Sequence, residues 1–202
     1  MRHMNSLNLP DTASARDRLL AAAEQLIYSG GIHATGIDAI VRLSGTARKS
    51  MYTYFASKNE LVAAALEQRD ERWMNWFAAE VEANGGSPRE RLLAIFAVLR
   101  TWFASEGFHG CAFLNAAGEI GESDDPIRRV SQAHKARLLA YVESMCIEHG
   151  SQHGFVPDQA SALARQWLLL IDGAIGVALV SGNPDAALDA RLIAHSLLNV
   201  SL

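Results

Sequence analysis

Residues 45–61 read GTARKSMYTYFASKNEL, and they crowd Thr46, Arg48, Lys49, Ser50, Tyr52, Thr53, Tyr54 and Lys58 into one stretch of a chain whose net charge is −4. Met51 and Phe55 stand four apart, so on a helix they share the inward face and leave Arg48, Lys49 and Thr53 to the outward one. The segment before is equally short. Thr35 offers an N-cap with Asp38 three residues on, Ile37, Ile40 and Val41 make one apolar face, and Gly45 closes it. Two such helices joined by a turn from Leu43 to Thr46 with a glycine inside have helix-turn-helix spacing. In that motif the second helix enters a major groove by its N-terminal half, which requires hydrogen-bonding side chains outside and apolar ones only beneath. Tyr52 and Tyr54 suit phosphate contacts at the groove walls, and Lys58 with the free amides of the next helix makes a second phosphate grip. The candidate DNA contacts are therefore Thr35, Thr46, Arg48, Lys49, Ser50, Tyr52, Thr53, Tyr54 and Lys58.

Charge is distributed to match. Residues 1–58 hold seven Lys/Arg against four acids, a balance of +3, so the remainder carries −7. A basic end on an acidic body is the pattern of a local polyanion site, whereas binding along the whole chain would make it basic throughout. Half of the 202 residues are hydrophobic, which supports a buried core. No apolar run is expected to span a membrane, because Asp172 and Gly173 interrupt the best candidate, Leu163 to Val180. The N-terminus lacks the apolar stretch of a signal peptide. The two cysteines, Cys111 and Cys146, form no CxxC pair, so neither a disulfide framework nor a zinc site is indicated and a cytoplasmic location is expected.

Outward from the opening stretch the punctuation is helical throughout. Ser14-x-x-Asp17 caps a first helix carrying Leu19, Ala23, Leu26 and Ile27 and closed by Gly30-Gly31. Ser57-x-x-Glu60 opens a fourth that runs without a breaker to Asn84, ~40 Å long at 1.5 Å per residue. Ser87-Pro88-Arg89-Glu90 opens the fifth, "CAFLNAAGEI" is a short sixth, and Asp125-Pro126, Pro157-Asp158 and Asn183-Pro184 open three more. The expectation is an all-α chain of about nine helices with no strand. It divides into an N-terminal arm over 1–13, a three-helix DNA-binding domain over 14–58, and a helical ligand-binding and dimerisation domain over 59–202.

Thr35-Gly36-Ile37-Asp38-Ala39-Ile40, then Gly45, then Met51-Tyr52-Thr53-Tyr54-Phe55-Ala56-Ser57-Lys58-Asn59-Glu60-Leu61 resembles the N-terminal domain of tetracycline-repressor-like (TetR-family) regulators. Their pattern there is a T-x-x-x-I-A segment followed by L-Y-x-Y-F-x-x-K-x-x-L. The match covers roughly residues 15–62, with Val41, Ser44, Thr46 and Ala47 as departures, and it makes Thr46 the expected N-cap of the third helix. "HGCAFLNAAGE", from His109 to Glu119, is similar to a stretch recurring in one branch of the family. The resemblance implies a homodimer, two recognition helices on a palindromic operator, and a small molecule in the C-terminal domain that releases DNA.

The C-terminal half supports a dimer on its own residues. From Leu168 to Val180 the helix is apolar nearly all round, with Gly173, Ala174, Gly176 and Ala178 as a small-residue track, and such a helix has to be covered on every side. Trp167, Ile171, Gly173, Ile175, Gly176, Leu179, Leu188, Leu192 and His195 are the expected interface. Asp172 is the odd polar residue there, read first as a paired charge at that interface, second as an exposed position and third as an effector contact. For an apolar or aromatic effector the candidate pocket is Trp73, Trp76, Phe77, Trp102, Phe103, Phe113, Asn115, His134 and Trp167, although each aromatic has core packing as its ordinary explanation.

No cofactor or metal is expected. The seven histidines make no ligand spacing, and His149 and His153, four apart, flank Gly150 and precede Gly154, which argues against a continuous helix. There is no nucleophile elbow, P-loop or Gly-rich dinucleotide loop, so no enzyme is expected. Two competitors remain. One is a redox-sensing regulator using Cys111, which requires an exposed thiol of lowered pKa, whereas Ala112 and Phe113 beside it point to burial. The other is a helical ligand carrier or enzyme whose basic end is incidental, a reading that specific binding to a palindromic duplex excludes.

Overall fold

Local capping and a 3.6-residue apolar period produce nine α-helices and no strand among the described residues, 13–199, of the computed structural model. They are α1 (Ala15–Gly30), α2 (Ile37–Ser44), α3 (Arg48–Tyr54), α4 (Lys58–Asn84), α5 (Pro88–Phe103), α6 (Ala112–Glu119), α7 (Pro126–His153), α8 (Pro157–Ser181) and α9 (Ala186–Leu197). The expected N-terminal arm lies, except for Ala13, outside the described residues.

Several starts follow the caps read from sequence. Ser14 Oγ accepts the Asp17 N–H at 3.1 Å, and Ser87 with Glu90 forms a reciprocal capping box ahead of α5. At α4 the Ser57 hydroxyl accepts the Glu60 N–H at 3.1 Å, while the Glu60 carboxylate reaches back to Ala56 N–H at 2.9 Å.

Three starts or ends differ. Thr35 does not cap α2: the N-cap is Gly36, and the Thr35 hydroxyl donates to the Gly31 carbonyl at 2.7 Å, back across the preceding loop. Thr46 does not cap α3 either. Ala47 holds that position, and Thr46 Oγ1 pairs with Ser44 Oγ at 2.8 Å instead. The helix of α7 runs unbroken through Gly150 to His153, because Phe155 packs onto that glycine: an added Cβ would sit 2.8 Å from Phe155 Cβ.

The described residues form two compact units, 13–73 with 111–134, and 74–110 with 135–199. The boundary expected at 58/59 thus falls inside the first unit, to which α6 and the start of α7 also belong. In the first unit Leu19, Leu20 and Ala23 of α1, Ile40 of α2, Met51 and Phe55 at α3, and Leu61 and Ala65 of α4 close one core. Beside it Glu24, buried on α1, accepts from Arg69 at 2.9 Å and Arg72 at 2.5 Å, and Arg69 lies over the Tyr28 ring at 3.7 Å. In the second unit Leu92, Ile95, Phe96 and Leu99 of α5 are buried with Leu163, Trp167 and Ile171 of α8, and the Trp167 indole donates to the Leu92 carbonyl at 3.1 Å.

One expectation about α8 needs correcting. By length and composition alone α8 is long and apolar enough to cross a membrane, with a mean hydropathy of 1.6 in its most apolar window, because one carboxylate does not lower an 18-residue average enough. In the fold Asp172 accepts Lys135 Nζ of α7 at 2.5 Å, and Leu163, Trp167, Ile171, Ile175 and Ala178 are buried. The pairing of Asp172 is therefore within the protomer.

Candidate nucleic-acid interface

The α2–turn–α3 piece stands on its buried side chains. Ile40, Met51 and Phe55 anchor it to α1 and α4, and Arg16 of α1 reaches over the Phe55 ring at 5.5 Å. Gly45 adopts φ 62°, the left-handed conformation that lets its N–H and that of Thr46 turn back to the carbonyls of Arg42 and Val41. From below, Arg18 Nε donates to the Ser44 carbonyl at 3.2 Å and satisfies the end of α2.

The opposite side is a hydrogen-bonding surface. Arg48, Lys49, Tyr52, Thr53 and Tyr54 are exposed, the two tyrosines by nearly half, and Ser50 is half-buried. Arg48 pairs with Asp38 of α2 at 2.5 Å; hydrogen bonding to Tyr52 first, and Asp38 second, hold its guanidinium above the ordinary range. Thr53 Oγ1 donates to the Lys49 carbonyl at 2.9 Å, which fixes its rotamer with the oxygen still free to accept a second proton.

Three of the candidate contacts are engaged elsewhere, Thr46 with the Ser44 hydroxyl at 2.8 Å, and Thr35 and Lys58. Thr35 is only 5% exposed, its hydroxyl turned inward to Gly31. Lys58 Nζ donates to the Ile32 carbonyl at 2.5 Å, on the loop between α1 and α2. That loop is also held by a residue to which the sequence assigned no role there: the Glu119 carboxylate, at the end of α6, accepts the N–H groups of Ile32 at 2.9 Å and His33 at 2.8 Å. The Glu119 carbonyl meets His33 Nε2 at 2.8 Å. Periodicity carries no sign of a contact 86 residues away in the chain; the cue available was an acidic residue at a helix C-terminus, where the macrodipole disfavours it.

The residues expected around an effector make ring contacts within each unit. In the first unit His134 stacks on Phe113 at 3.7 Å between centroids and meets the edge of Trp73 at 5.4 Å. Its Nδ1 lies 2.6 Å from Asp70. Burial alone would lower the His134 pKa, but hydrogen bonds to Asp70 and then Cys111 outweigh it and leave the imidazole above its ordinary value. Asn115 lines a different place, a crevice of about 10 Å³ with Glu24, Tyr28 and Arg69, which has room for about one water. In the second unit Trp76 neighbours Phe77, which meets the edge of Tyr141, Trp102 and Phe103 pack on Phe108, and Trp167 packs on Phe96. Cys111 is 5% exposed, so the accessible thiol that a redox centre requires is not present at that position. Cys146 is buried, and burial pushes its thiol up to about 12. Among the described residues no group of three or more His, Cys, Asp and Glu is placed to hold a metal, and His149 and His153 stack on each other with 4.1 Å between rings.

Of the residues expected at a dimer interface, Trp167, Ile171 and Ile175 are buried inside the protomer. The other six, Gly173, Gly176, Leu179, Leu188, Leu192 and His195, are exposed. The outward apolar face is completed by Leu169, Val177, Val180 and Ile193, with Val180 90% and Leu192 69% exposed. The spacing 169, 173, 176, 180 marks this stripe as one helical face.

Two family models match this chain: bacterial regulatory proteins of the tetR family over residues 19–65, and the tetracyclin repressor-like C-terminal domain over residues 88–193. The chain is 30% identical over 169 residues to an HTH-type transcriptional regulator of Mycobacterium tuberculosis, covering 82% of this chain and 84% of that one. It is 24% identical over 160 residues to the HTH-type transcriptional repressor NemR of Escherichia coli, covering 76% of this chain and 80% of the relative. A crystal structure of a TetR-type transcriptional regulator from Streptomyces avermitilis superposes with a TM-score of 0.78 at 33% identity, covering 93% of this chain and 97% of the other. With an exposed hydrogen-bonding helix carried on a buried helix-turn-helix core and both family models matched, the chain belongs to the TetR family of DNA-binding bacterial transcriptional regulators.

Proposed function

We propose that this chain is a cytoplasmic homodimeric repressor that holds a palindromic operator with α3 of each protomer and releases it when a small apolar or aromatic molecule binds. The observation that carries the reading is the two-sided α3. Met51 and Phe55 are buried in the core while Arg48, Lys49, Tyr52, Thr53 and Tyr54 face solvent, a surface with donors for phosphates and base edges and no apolar side chain to be stranded in a groove. Thr46 and Ser50, half-buried at the helix start, are the outermost members of the set. Residues 14–58 supply the DNA-contacting part and residues 59–202 the effector and dimer functions, without catalysis.

Repression is supported by the name of the Escherichia coli relative, and dimerisation by the exposed apolar stripe on α8 and α9. A patch containing Leu169, Val177, Val180 and Leu192 is of the kind that a second copy covers by two-fold symmetry. For the effector, the stacked His134–Phe113 pair with Trp73 is a group in which a titratable residue of shifted pKa meets aromatic rings.

Selection of bound duplexes from random DNA tests the central claim. The expected product is an inverted repeat whose half-sites are one helical turn or a multiple apart, about 34–36 Å per turn. Retention of no duplex, or of duplexes without dyad symmetry, would overturn the reading. Compounds are then scored by tryptophan fluorescence with and without the selected duplex, since an effector that releases DNA must bind correspondingly less well when DNA is present.

A further inference from the structure

We propose that Glu119 is a positioning residue for operator binding: with Lys58 it clamps the loop between α1 and α2 and so sets the orientation in which α2 and α3 are presented. The inference rests on the reading of the α2–α3 face as the DNA-contacting surface. The peptide units around Ile32 are held from both sides. The Ile32 N–H donates to Glu119 Oε1 at 2.9 Å, the Ile32 carbonyl accepts from Lys58 Nζ at 2.5 Å, and the His33 N–H donates to Glu119 Oε2 at 2.8 Å. Each of these bonds has an ionised partner, the stronger class of hydrogen bond. A further contact, His33 Nε2 to the Glu119 carbonyl at 2.8 Å, closes the arrangement.

Two features show that the arrangement is built rather than incidental. Glu119 is the last residue of α6, where a carboxylate opposes the negative end of the helix macrodipole, so helix stability does not account for it. Gly31 adopts φ 89° beside it, and a Cβ there would stand 3.0 Å from Glu119 Oε1, so the loop approaches the carboxylate as closely as a glycine permits.

The clamped loop occupies residues 31–36 and leads directly into α2. Within the loop Thr35 Oγ1 donates to the Gly31 carbonyl and the Thr35 N–H to the Ile32 carbonyl at 3.3 Å, and the Gly31 N–H ties its start to the Ile27 carbonyl. The α6 helix has only eight residues and is tied at its C-terminal end by Arg128, which donates to the Ala117 and Ile120 carbonyls at 2.7 and 3.1 Å. A displacement of so short and well-held a helix is delivered to the Ile32 and His33 amides through Glu119. Glu119 thereby acts through the recognition unit and touches no DNA.

Glu119→Gln tests this, since a carboxamide accepts one of the two N–H groups and presents its own NH₂ to the other. In the variant the Ile32 and His33 amides should exchange with solvent at least roughly tenfold faster, and operator affinity should fall by a similar factor, with dimer and helix content kept. The slope of affinity against salt should stay that of the wild type, because no phosphate contact is lost. Faster exchange with unchanged operator affinity would reduce Glu119 to a local structural role and overturn the inference. The wild type supplies a second measurement that needs no variant: the two amides should be better protected in the operator complex than in the free protein, and equal protection overturns the clamp. A wild type that binds no duplex would overturn the regulator reading and this inference together, whereas a wild type and a variant that bind equally well would overturn the clamp alone.

Discussion

Lys49 and Tyr52 illustrate what single side chains contribute here. Both are exposed on α3, and neither shares the buried face of Met51 and Phe55, so truncating them removes the proposed contacts to DNA without opening the core. Lys49→Ala and Tyr52→Ala should each weaken operator binding on the order of tenfold, and loss of the Lys49 charge should lower the salt slope by about 1. Gel-shift titration at several salt concentrations, with circular dichroism to confirm helix content, checks both. His134 makes a pH-dependent contribution. Its folded pKa lies above its ordinary value because the Asp70 and Cys111 bonds outweigh burial, so the stabilisation is complete below an unfolded pKa of about 6.5 and is lost as pH rises through the folded value. Melting temperatures of wild type and His134→Phe should therefore differ most at mildly acidic pH and converge above neutrality. The two sides of α3 were legible in the sequence because they follow from a four-residue interval alone. The inward turn of Thr35 was not: its hydroxyl has a cap and a loop carbonyl within reach, and the path of the loop decides between them.

Between α1 and α4 the decisive interaction is ionic. Glu24 has 5% of its side chain exposed, and Arg69 likewise 5%, with Arg72 as the second partner. Removing one member leaves buried charge uncompensated, so Glu24→Gln should destabilise the protein by about 3–5 kcal/mol, measured by urea unfolding. Replacing Glu24, Arg69 and Arg72 together by Met, which removes the charges along with the pairing, should recover most of that loss. The helices themselves were readable from caps and period: Ser14, Ser57 and Ser87 each open the helix expected. The salt cluster was not, since Glu24 occupies an ordinary polar position in the pattern of α1 until α4 is laid against it.

For the assembled regulator the outward face of α8 and α9 is the feature to disrupt. Gly176 is exposed, and no neighbouring atom lies within 4 Å of a Cβ added there, so Gly176→Arg fits the protomer. Its charge would instead be buried in the proposed dimer interface. The variant should fold with wild-type helix content, run as a monomer in sedimentation, and lose operator affinity by more than either α3 variant, because the two half-sites are no longer bound as one. A Gly176→Arg protein that remains dimeric would place the interface on another face.

Helix positions, the turn at Gly45 and the exposed side of α3 follow from intervals of three and four residues, and so the residues alone determined the all-helical class and the DNA-binding reading. Three other features needed the folded chain. Trp167, Ile171 and Ile175 are as apolar as Val177 and Val180, and only packing against α5 and α9 divides the helix into a buried face and an uncovered one. Lys58 is a cation one residue beyond a capping serine, suited by its surroundings to a phosphate, yet it donates to Ile32. Glu119 joins α6 to a loop 86 residues earlier in the chain. Burial and hydrogen-bond choice depend on which groups a distant segment brings within about 3 Å, and local periodicity carries no information about that segment.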